Sequence, residues 1–176
     1  MVKKHVIDCD KDPVIWFDAW SVESHTKMGK LAWKPDEIEL YLSEKQKIGH
    51  IEGNELRKEL EGKPVLNACV LDYLMEHPNL IPDSWKGKYI YFWGTIFRDA
   101  DGNLFVEFLC WGGFRWFWSD RWLGRGWGGD EPAASLASMP SGSREISASG
   151  SLPLGLLEKR VKELEDWKEK ITQALQ

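Results

Sequence analysis

The middle of the chain has nearly continuous apolar runs separated by turn residues, whereas helical spacing occurs before and after it. Between residues 86 and 125, these runs are rich in aromatic and branched residues, which is typical of β-strands, whose side chains alternate between two faces. Gly102 lies in an Asp-Ala-Asp-Gly-Asn turn, at the position that needs a positive φ, and Gly112-Gly113 supplies a second turn. The pattern therefore predicts an antiparallel β-meander over 86–125.

The two turns also predict which residues face each other across the strands. Closing the first hairpin at Asp99 and Asn103 predicts four facing pairs: Phe97 with Phe105, Thr95 with Glu107, Trp93 with Leu109 and Tyr91 with Trp111. Closing the second as a two-residue loop predicts two more: Leu109 with Trp116 and Glu107 with Trp118. One face of the meander then carries the aromatic residues and an acid near its middle.

That aromatic face has two interpretations. Its main members are Tyr91, Trp93, Glu107, Trp116, Trp118 and Trp122. Tryptophan and tyrosine bury large areas, so helices and N-terminal strands that cover the face would make it core. Exposed patches of this size rarely lack a partner, so a partly open face would be a binding surface. A mixed outcome buries Trp93 and Trp111 and leaves the last strand partly open.

Short strands and helices are predicted before the meander. His5–Ile7 and Val14–Phe17 resemble strands, and residues 36–47 fit a strand or a helix equally well. Two short amphipathic helices follow, with Asn54 and Asn67 as the expected N-caps. Because each has only one apolar face, both need a sheet to pack on. We therefore expect an α+β domain over residues 1–125.

Glycine, serine, alanine and proline dominate residues 126–152, which predicts a flexible linker. Helical periodicity returns in 153–176, where apolar residues step by three and four positions. This seam consists of Leu154, Leu157, Val161, Leu164, Ile171 and Leu175, with Lys168 at one seam position. The pattern favours a short coiled coil that makes a homo-oligomer. An amphipathic helix that docks on its own domain is the alternative.

Composition narrows the function classes. The chain has 176 residues and a net charge of −5, so no overall basic field collects nucleic acid or an anionic membrane. Its three cysteines are far apart and lack C-x-x-C spacing, which fits a reducing compartment better than a disulfide framework or a zinc site. There is no signal-like segment and no long apolar run. We expect a soluble, cytoplasmic protein.

Motifs that suggest chemistry lack their required partners. Asp8 and Asp10 resemble a phosphatase nucleophile strand, but no βαβ unit follows them. Asp99, Asp101 and Asn103 have calcium-loop spacing, but the glycine and the distal acid of such a loop are missing. The four histidines show no metal-ligand spacing. Cys69 and His77 lie too far apart on one helix to form a nucleophilic pair. No metal, cofactor or catalytic residue is predicted.

Three sequence blocks carry a resemblance: Lys63-Pro-Val-Leu-Asn67, Ile81-Pro-Asp-Ser-Trp-Lys-Gly-Lys88 and Phe92-Trp-Gly-Thr-Ile96. Over roughly residues 34–138 the chain resembles a family of short hypothetical proteins predicted from genomes of uncultured bacteria. This resemblance implies a natural unit with a variable C-terminal attachment, and it implies no activity, ligand or residue role.

We therefore expect a non-enzymatic interaction module that binds through the aromatic face. Oligomerisation through the C-terminal helix would bring several such faces together. A protein partner or a second copy of the chain is the expected ligand. Glycan binding is an alternative, in which tryptophans stack on sugar rings and Glu107 and Asp120 accept hydroxyl hydrogen bonds. Binding of single-stranded nucleic acid is a second alternative. It would place phosphates on four arginines: Arg98, Arg115, Arg121 and Arg125.

Overall fold

A mixed β-sheet with helices on both faces forms the described part of the protein. The computed structural model describes residues 3–137 and Lys162. Seven strands form the main sheet: β2 Ser21–His25, β4 Ile38–Tyr41, β6 Ile90–Tyr91, β7 Thr95–Arg98, β8 Leu104–Trp111, β9 Trp116–Trp122 and β11 Ala133–Leu136. Two small antiparallel pairs join β1 Val6–Asp8 to β3 Lys30–Ala32 and β5 Ile51–Glu52 to β10 Gly126–Trp127. The helices are α1 Glu44–Ile48, α2 Gly53–Glu59 and α3 Ala68–Glu76. The α+β class is confirmed.

Each helix begins at a side chain that caps its free N–H groups. Asn67 caps α3, as predicted, and its side chain accepts a hydrogen bond from the backbone N–H of Cys69. Ser43 and Gln46 form a reciprocal capping box on α1. The cap of α2 is Glu52, which accepts from the Glu55 N–H. The prediction that Asn54 caps this helix was wrong, because the helix begins one residue before it.

The first hairpin closes as predicted, but its register changes along the strand. The Asp99 N–H donates to the Asn103 carbonyl, and Phe97 faces Phe105. Beyond residues 92–94 the pairing resumes with Tyr91 opposite Phe108. The three predicted pairs Thr95 with Glu107, Trp93 with Leu109 and Tyr91 with Trp111 were therefore wrong. Because the shift is odd, it moves the side chains of 90–93 to the opposite faces of the sheet.

Gly94 shows why the register breaks. Its N–H donates to the Leu66 carbonyl, and its own carbonyl accepts from the Thr26 N–H. A Cβ on Gly94 would lie 2.8 Å from the Cα and Cβ of Asn67. The backbone at residue 94 is therefore held against the start of α3 instead of against β8, and only glycine allows that approach.

The second hairpin has a four-residue loop, Gly112–Arg115, and not the predicted two-residue loop. Trp111 faces Trp116, Leu109 faces Trp118, and Glu107 faces Asp120. The predicted pairs Leu109 with Trp116 and Glu107 with Trp118 were wrong by two positions. An even shift leaves every side chain on its predicted face, so only the cross-strand partners change.

Two hydrophobic clusters lie on the opposite faces of the sheet. One packs α3 and Ile7 against Ile90, Leu109 and Trp116. The other packs Leu56 of α2 against Tyr91, Phe108 and Trp127. Both faces of the meander are therefore covered over most of their area, which is the buried interpretation of the aromatic face.

The folded unit continues past the expected boundary at residue 125. Residues 126–136, which the composition assigned to a linker, include β10 and β11. β11 lies inside the main sheet, antiparallel to β4 and parallel to β6. The rest of the predicted linker and the heptad seam of 153–176 lie outside the described residues. None of the helices in the described ranges has the length and apolar character that crossing a bilayer requires.

Asn67 provides a test of what holds α3 on the sheet. Its buried amide also donates to the carbonyls of Cys9 and Thr26, both at 2.9 Å. Asn67→Ala removes the cap and leaves two carbonyls unpaired, so we expect a loss of about 3 kcal/mol or more in the free energy of unfolding. Urea unfolding monitored by circular dichroism measures it. The control is Asn79→Ala, at an exposed asparagine, which should change stability by less than about 0.5 kcal/mol. Equal losses for the two variants would contradict this role.

Candidate functional site

A row of aromatic side chains remains partly open on the α3 face of the sheet. We call it the aromatic strip, and it consists of Trp16, Phe17, Trp20, Phe105, Trp118 and Trp122. The ring of Trp16 lies 4.9 Å from that of Trp118, and Trp20 stacks on Phe105 at 4.7 Å. Trp122 faces Phe105 across the strands. Trp16 and Trp122 are 51% and 47% exposed, so the strip offers apolar area to solvent.

The strip exists because the chain before β2 crosses this face of the sheet. Residues 14–17 were predicted to be a strand, and this was wrong, since they pair with no other strand. They are held instead by few contacts with α3. The Val14 N–H donates to Asp72 at 3.4 Å, and the Cys69 thiol donates to the Lys11 carbonyl at 3.3 Å. Four successive side chains of this segment, Val14, Ile15, Trp16 and Phe17, are exposed apolar residues.

Three carboxyl groups lie close to the strip. Glu107 of β8 and Asp120 of β9 face each other on the face of the sheet that carries the strip, and Asp72 of α3 approaches from above. The Glu107 side chain is only 3% exposed, and its Oε2 atom has no hydrogen-bond partner among the described residues. An unpaired buried polar atom costs free energy, so this carboxyl group resembles a binding determinant more than a structural one.

The environment of these carboxyl groups disfavours their charged forms. Burial, together with the neighbouring Asp72 and Asp120, raises the pKa of Glu107 to about 8. Burial also raises the pKa of Asp72 to about 6, against the opposing hydrogen bond from Val14. Burial raises the pKa of Asp120 as well. Glu107 is therefore mostly protonated at neutral pH, and a bound cation would favour its ionisation.

The predicted binding residues are divided between two environments. Four of them lie on the α3 face: Glu107, Trp116, Trp118 and Trp122. Trp116 is buried there, while Trp118 and Trp122 belong to the strip. Tyr91 and Trp93 lie in the cluster on the opposite face. There the Tyr91 hydroxyl donates to Glu131, which also accepts from the Gly128 N–H at 2.7 Å and pairs with Arg121. These two residues therefore do not join the others.

Sequence reasoning missed three members of the strip and one of its acids. Trp16 and Phe17 belong to the apolar run of residues 14–17 that was predicted to be a strand, Trp20 lies just after that run, and Asp72 comes from a helix. Several aromatic residues close together in a stretch that forms no strand pair are the local feature that could have indicated an aromatic segment lying over the sheet. Its position over β9 depends on contacts more than fifty residues apart in the chain, such as Val14 with Asp72.

A cysteine–histidine pair is present, but with a different histidine from the one considered in the sequence. The His25 Nε2 atom lies 3.8 Å from the Cys69 Sγ atom, and the His25 Nδ1 atom lies 2.8 Å from the Thr95 hydroxyl oxygen. Thr95 also accepts from the Ala68 N–H. Burial raises the pKa of Cys69 to about 11, so its thiol is protonated at neutral pH. His25, Thr95 and Cys69 are thus engaged in hydrogen bonds with one another, and the thiol is not activated as a nucleophile would be.

The acidic and basic residues that the sequence marked as candidates for chemistry make structural contacts instead. Asp10 accepts from the Gly29 N–H at 2.7 Å, and Asp99 accepts from the backbone of Asp101 and Asn103 inside its own turn. Across residues 3–137, no three histidine, cysteine or acidic side chains are grouped to hold a metal ion. Arg98 pairs with Glu23, and Arg121 pairs with Glu131. Two of the four arginines expected to meet phosphates are therefore already neutralised.

No protein-family model, curated protein or solved structure matches the chain. The strip and its carboxyl groups are therefore the features of this chain from which a function can be inferred.

Titration of Glu107 should make stability depend on pH. Its pKa is about 8 in the folded state, against an ordinary value of 4.5. As pH rises between these values, the unfolded chain loses a proton that the folded chain keeps, so the free energy of unfolding falls. Asp72, with a pKa of about 6, is largely ionised by about pH 7. From there we expect Glu107 to give a further fall of at most about 1.4 kcal/mol per pH unit, which levels off above about pH 8.

Glu107→Gln tests that assignment, because it removes the ionisation and retains the shape of the side chain. The variant should show a nearly flat profile above about pH 7, where Asp72 is ionised, and it should be more stable than the parent protein at pH 8. Urea unfolding at several pH values gives the two curves. Asp36→Asn, at an exposed acid, is the matched control and should leave the slope unchanged. Parallel curves for the parent and Glu107→Gln would refute the assignment.

Proposed function

We propose that this protein is a non-enzymatic interaction module that binds a cationic segment of a protein partner on the aromatic strip. The observation that carries the proposal is the facing pair Glu107 and Asp120 on the face that carries the strip, with an unpaired oxygen on Glu107. The Asp120 carboxylate, and Glu107 once it loses its proton, favour a cationic ligand, and tryptophan faces attract ammonium and guanidinium groups through the ring quadrupole. One surface thus combines both kinds of attraction.

The remaining chemistry of the strip supports a binding role over catalysis. Its exposed rings supply apolar area that excludes water, which is how aromatic anchors contribute most of the energy at interfaces. Asp120 is half-buried between Trp118 and Trp122 in the sequence of β9, so it is accessible while Glu107 lies beneath the surface. A Lys or Arg side chain on the rings would reach Asp120 first, and Glu107 would add charge as it loses its proton.

The heptad seam of 153–176 extends the proposal. If that segment forms the predicted coiled coil, each oligomer would carry several strips. Avidity would then compensate for a weak single site without any new contact.

Glycan binding is the second candidate, and the same pair of acids favours it. Carboxylate oxygens between flat aromatic rings are suitable acceptors for sugar hydroxyl groups, and no charge on the ligand is then required. The two candidates differ in their salt dependence, because attraction between exposed charges is screened and stacking on a sugar is not. Nucleic acid receives less support, since Arg98 and Arg121 are paired with acids.

Binding of simple probes to the full chain tests the proposal. By isothermal titration calorimetry, an eight-residue peptide of alternating lysine and leucine should bind more tightly than its glutamate–leucine counterpart. Its affinity should fall when salt rises from about 50 mM to about 500 mM. Trp16→Ala and Asp120→Asn should each weaken binding about tenfold. Phe114→Ala removes an aromatic residue that is 74% exposed but lies outside the strip, and it should leave the affinity unchanged.

The possible outcomes separate the candidates. Equal affinity for the two peptides, or equal loss in Phe114→Ala and Trp16→Ala, would overturn the cationic-segment proposal. Binding of cellohexaose or chitohexaose that is independent of salt and lost in Trp16→Ala would identify the strip as a glycan site instead.

A further inference from the structure

A cavity of about 410 Å³ opens on the face of the sheet opposite the aromatic strip. It lies where the break between β6 and β7 exposes the sheet, and α2 and the turn that follows it form the other wall. Leu60, Trp93 and Ile96 form its floor, and each is at most 5% exposed. Ser24 and Arg57 supply donors at its wall, while the Lys63 Nζ atom lies 4.8 Å from the centroid of the Tyr41 ring. Its volume lies within the range of sites for small molecules.

The cations of this cavity are not neutralised by the protein. Arg57 is half-buried, and its one hydrogen bond among the described residues runs from Nη2 to the Ser24 hydroxyl at 3.3 Å. A guanidinium group has five N–H donors, so most of those on Arg57 remain available. Neither Arg57 nor Lys63 has an acid within salt-bridge distance in residues 3–137. Glu61 is the single acid among the lining residues.

The environment of Arg57 differs from that of three other arginines of the protein. Arg98 and Arg121 both pair with glutamates, and Arg115 is exposed, with its guanidinium 4.5 Å from the ring centroid of Phe117. Arg57 alone among these four combines partial burial, the absence of an acidic partner and a position in a cavity. Partial removal from water strengthens the attraction between its charge and an anion.

We propose that this cavity binds a small organic carboxylate. Its apolar part would lie against Leu60, Trp93 and Ile96, and its carboxylate would accept two parallel hydrogen bonds from Arg57. The planar guanidinium fork matches a carboxylate in this bidentate geometry, which a point charge such as Lys63 does not reproduce. This site is separate from the aromatic strip and has the opposite charge preference. The protein therefore has two sites that can be tested independently.

Three probes that share one apolar body test the charge preference on the full chain. They are 1-naphthoate, neutral 1-naphthamide and cationic 1-naphthylmethylammonium, compared by isothermal titration calorimetry. 1-Naphthoate should bind at least about tenfold more tightly than the amide, since charge-assisted hydrogen bonds to arginine exceed neutral ones. The cationic probe should bind the cavity most weakly, and this is measured on a full-length Trp16→Ala/Asp120→Asn variant because the strip itself attracts ammonium groups. Equal affinity for all three, or no detectable binding of 1-naphthoate, would overturn the proposal.

Variants locate the binding in the cavity. Arg57→Ala should weaken 1-naphthoate about tenfold or more and leave 1-naphthamide unchanged, whereas Arg57→Lys should restore only part of the affinity. Arg115→Ala is the matched control and should have no effect. Thr26→Trp places a large side chain at an exposed lining position and should block 1-naphthoate and 1-naphthamide while leaving the fold intact by circular dichroism. Loss of 1-naphthoate binding in Trp16→Ala with no change in Arg57→Ala would place binding on the strip and overturn the proposal.

Discussion

The buried side chain of Asn67 is the contact on which the arrangement of this protein depends. One amide caps α3 and holds the carbonyls of Cys9 and Thr26, so that three distant segments meet at one point. Gly94 approaches the same residue so closely that no Cβ fits between them. The break between β6 and β7, the position of α3 and the course of the chain before β2 all follow from this junction. Asp72 and the aromatic strip are placed by it in turn.

Opposite chemistry on the two faces of the sheet follows from the alternation of side chains along the strands. On β9, Asp120 lies on the α3 face, while its neighbour Arg121 reaches Glu131 on the other face. The acidic, aromatic surface and the donor-lined cavity are therefore separated by the thickness of one sheet. The two surfaces have no side chain in common, so a substitution in one leaves the lining of the other unchanged.

Local signals predicted the α+β class, the turn from Asp99 to Asn103 and the cap at Asn67, because each is determined by neighbouring residues. The register beyond Trp93 could not be predicted, since contacts with α3 determine it. The facing of Glu107 and Asp120 depends on a loop two residues longer than its glycines suggest. β11 was hidden in a stretch of small residues whose composition resembles a linker. Its alanines fit there because both faces of the strand are tightly enclosed, with Ala134 fully buried.

The position of β11 has a consequence for the order in which the protein is made. β4 and β6 flank β11 on its two sides, yet β11 is synthesised last of the three, more than forty residues after β6 begins. Until it emerges from the ribosome, two strands present unsatisfied edges to each other and to neighbouring nascent chains. Pairings of such long sequence separation also form slowly. During synthesis there is therefore an interval in which β4 and β6 exist but β11 does not yet connect them. In that interval the nascent chain is most prone to aggregate and to bind chaperones.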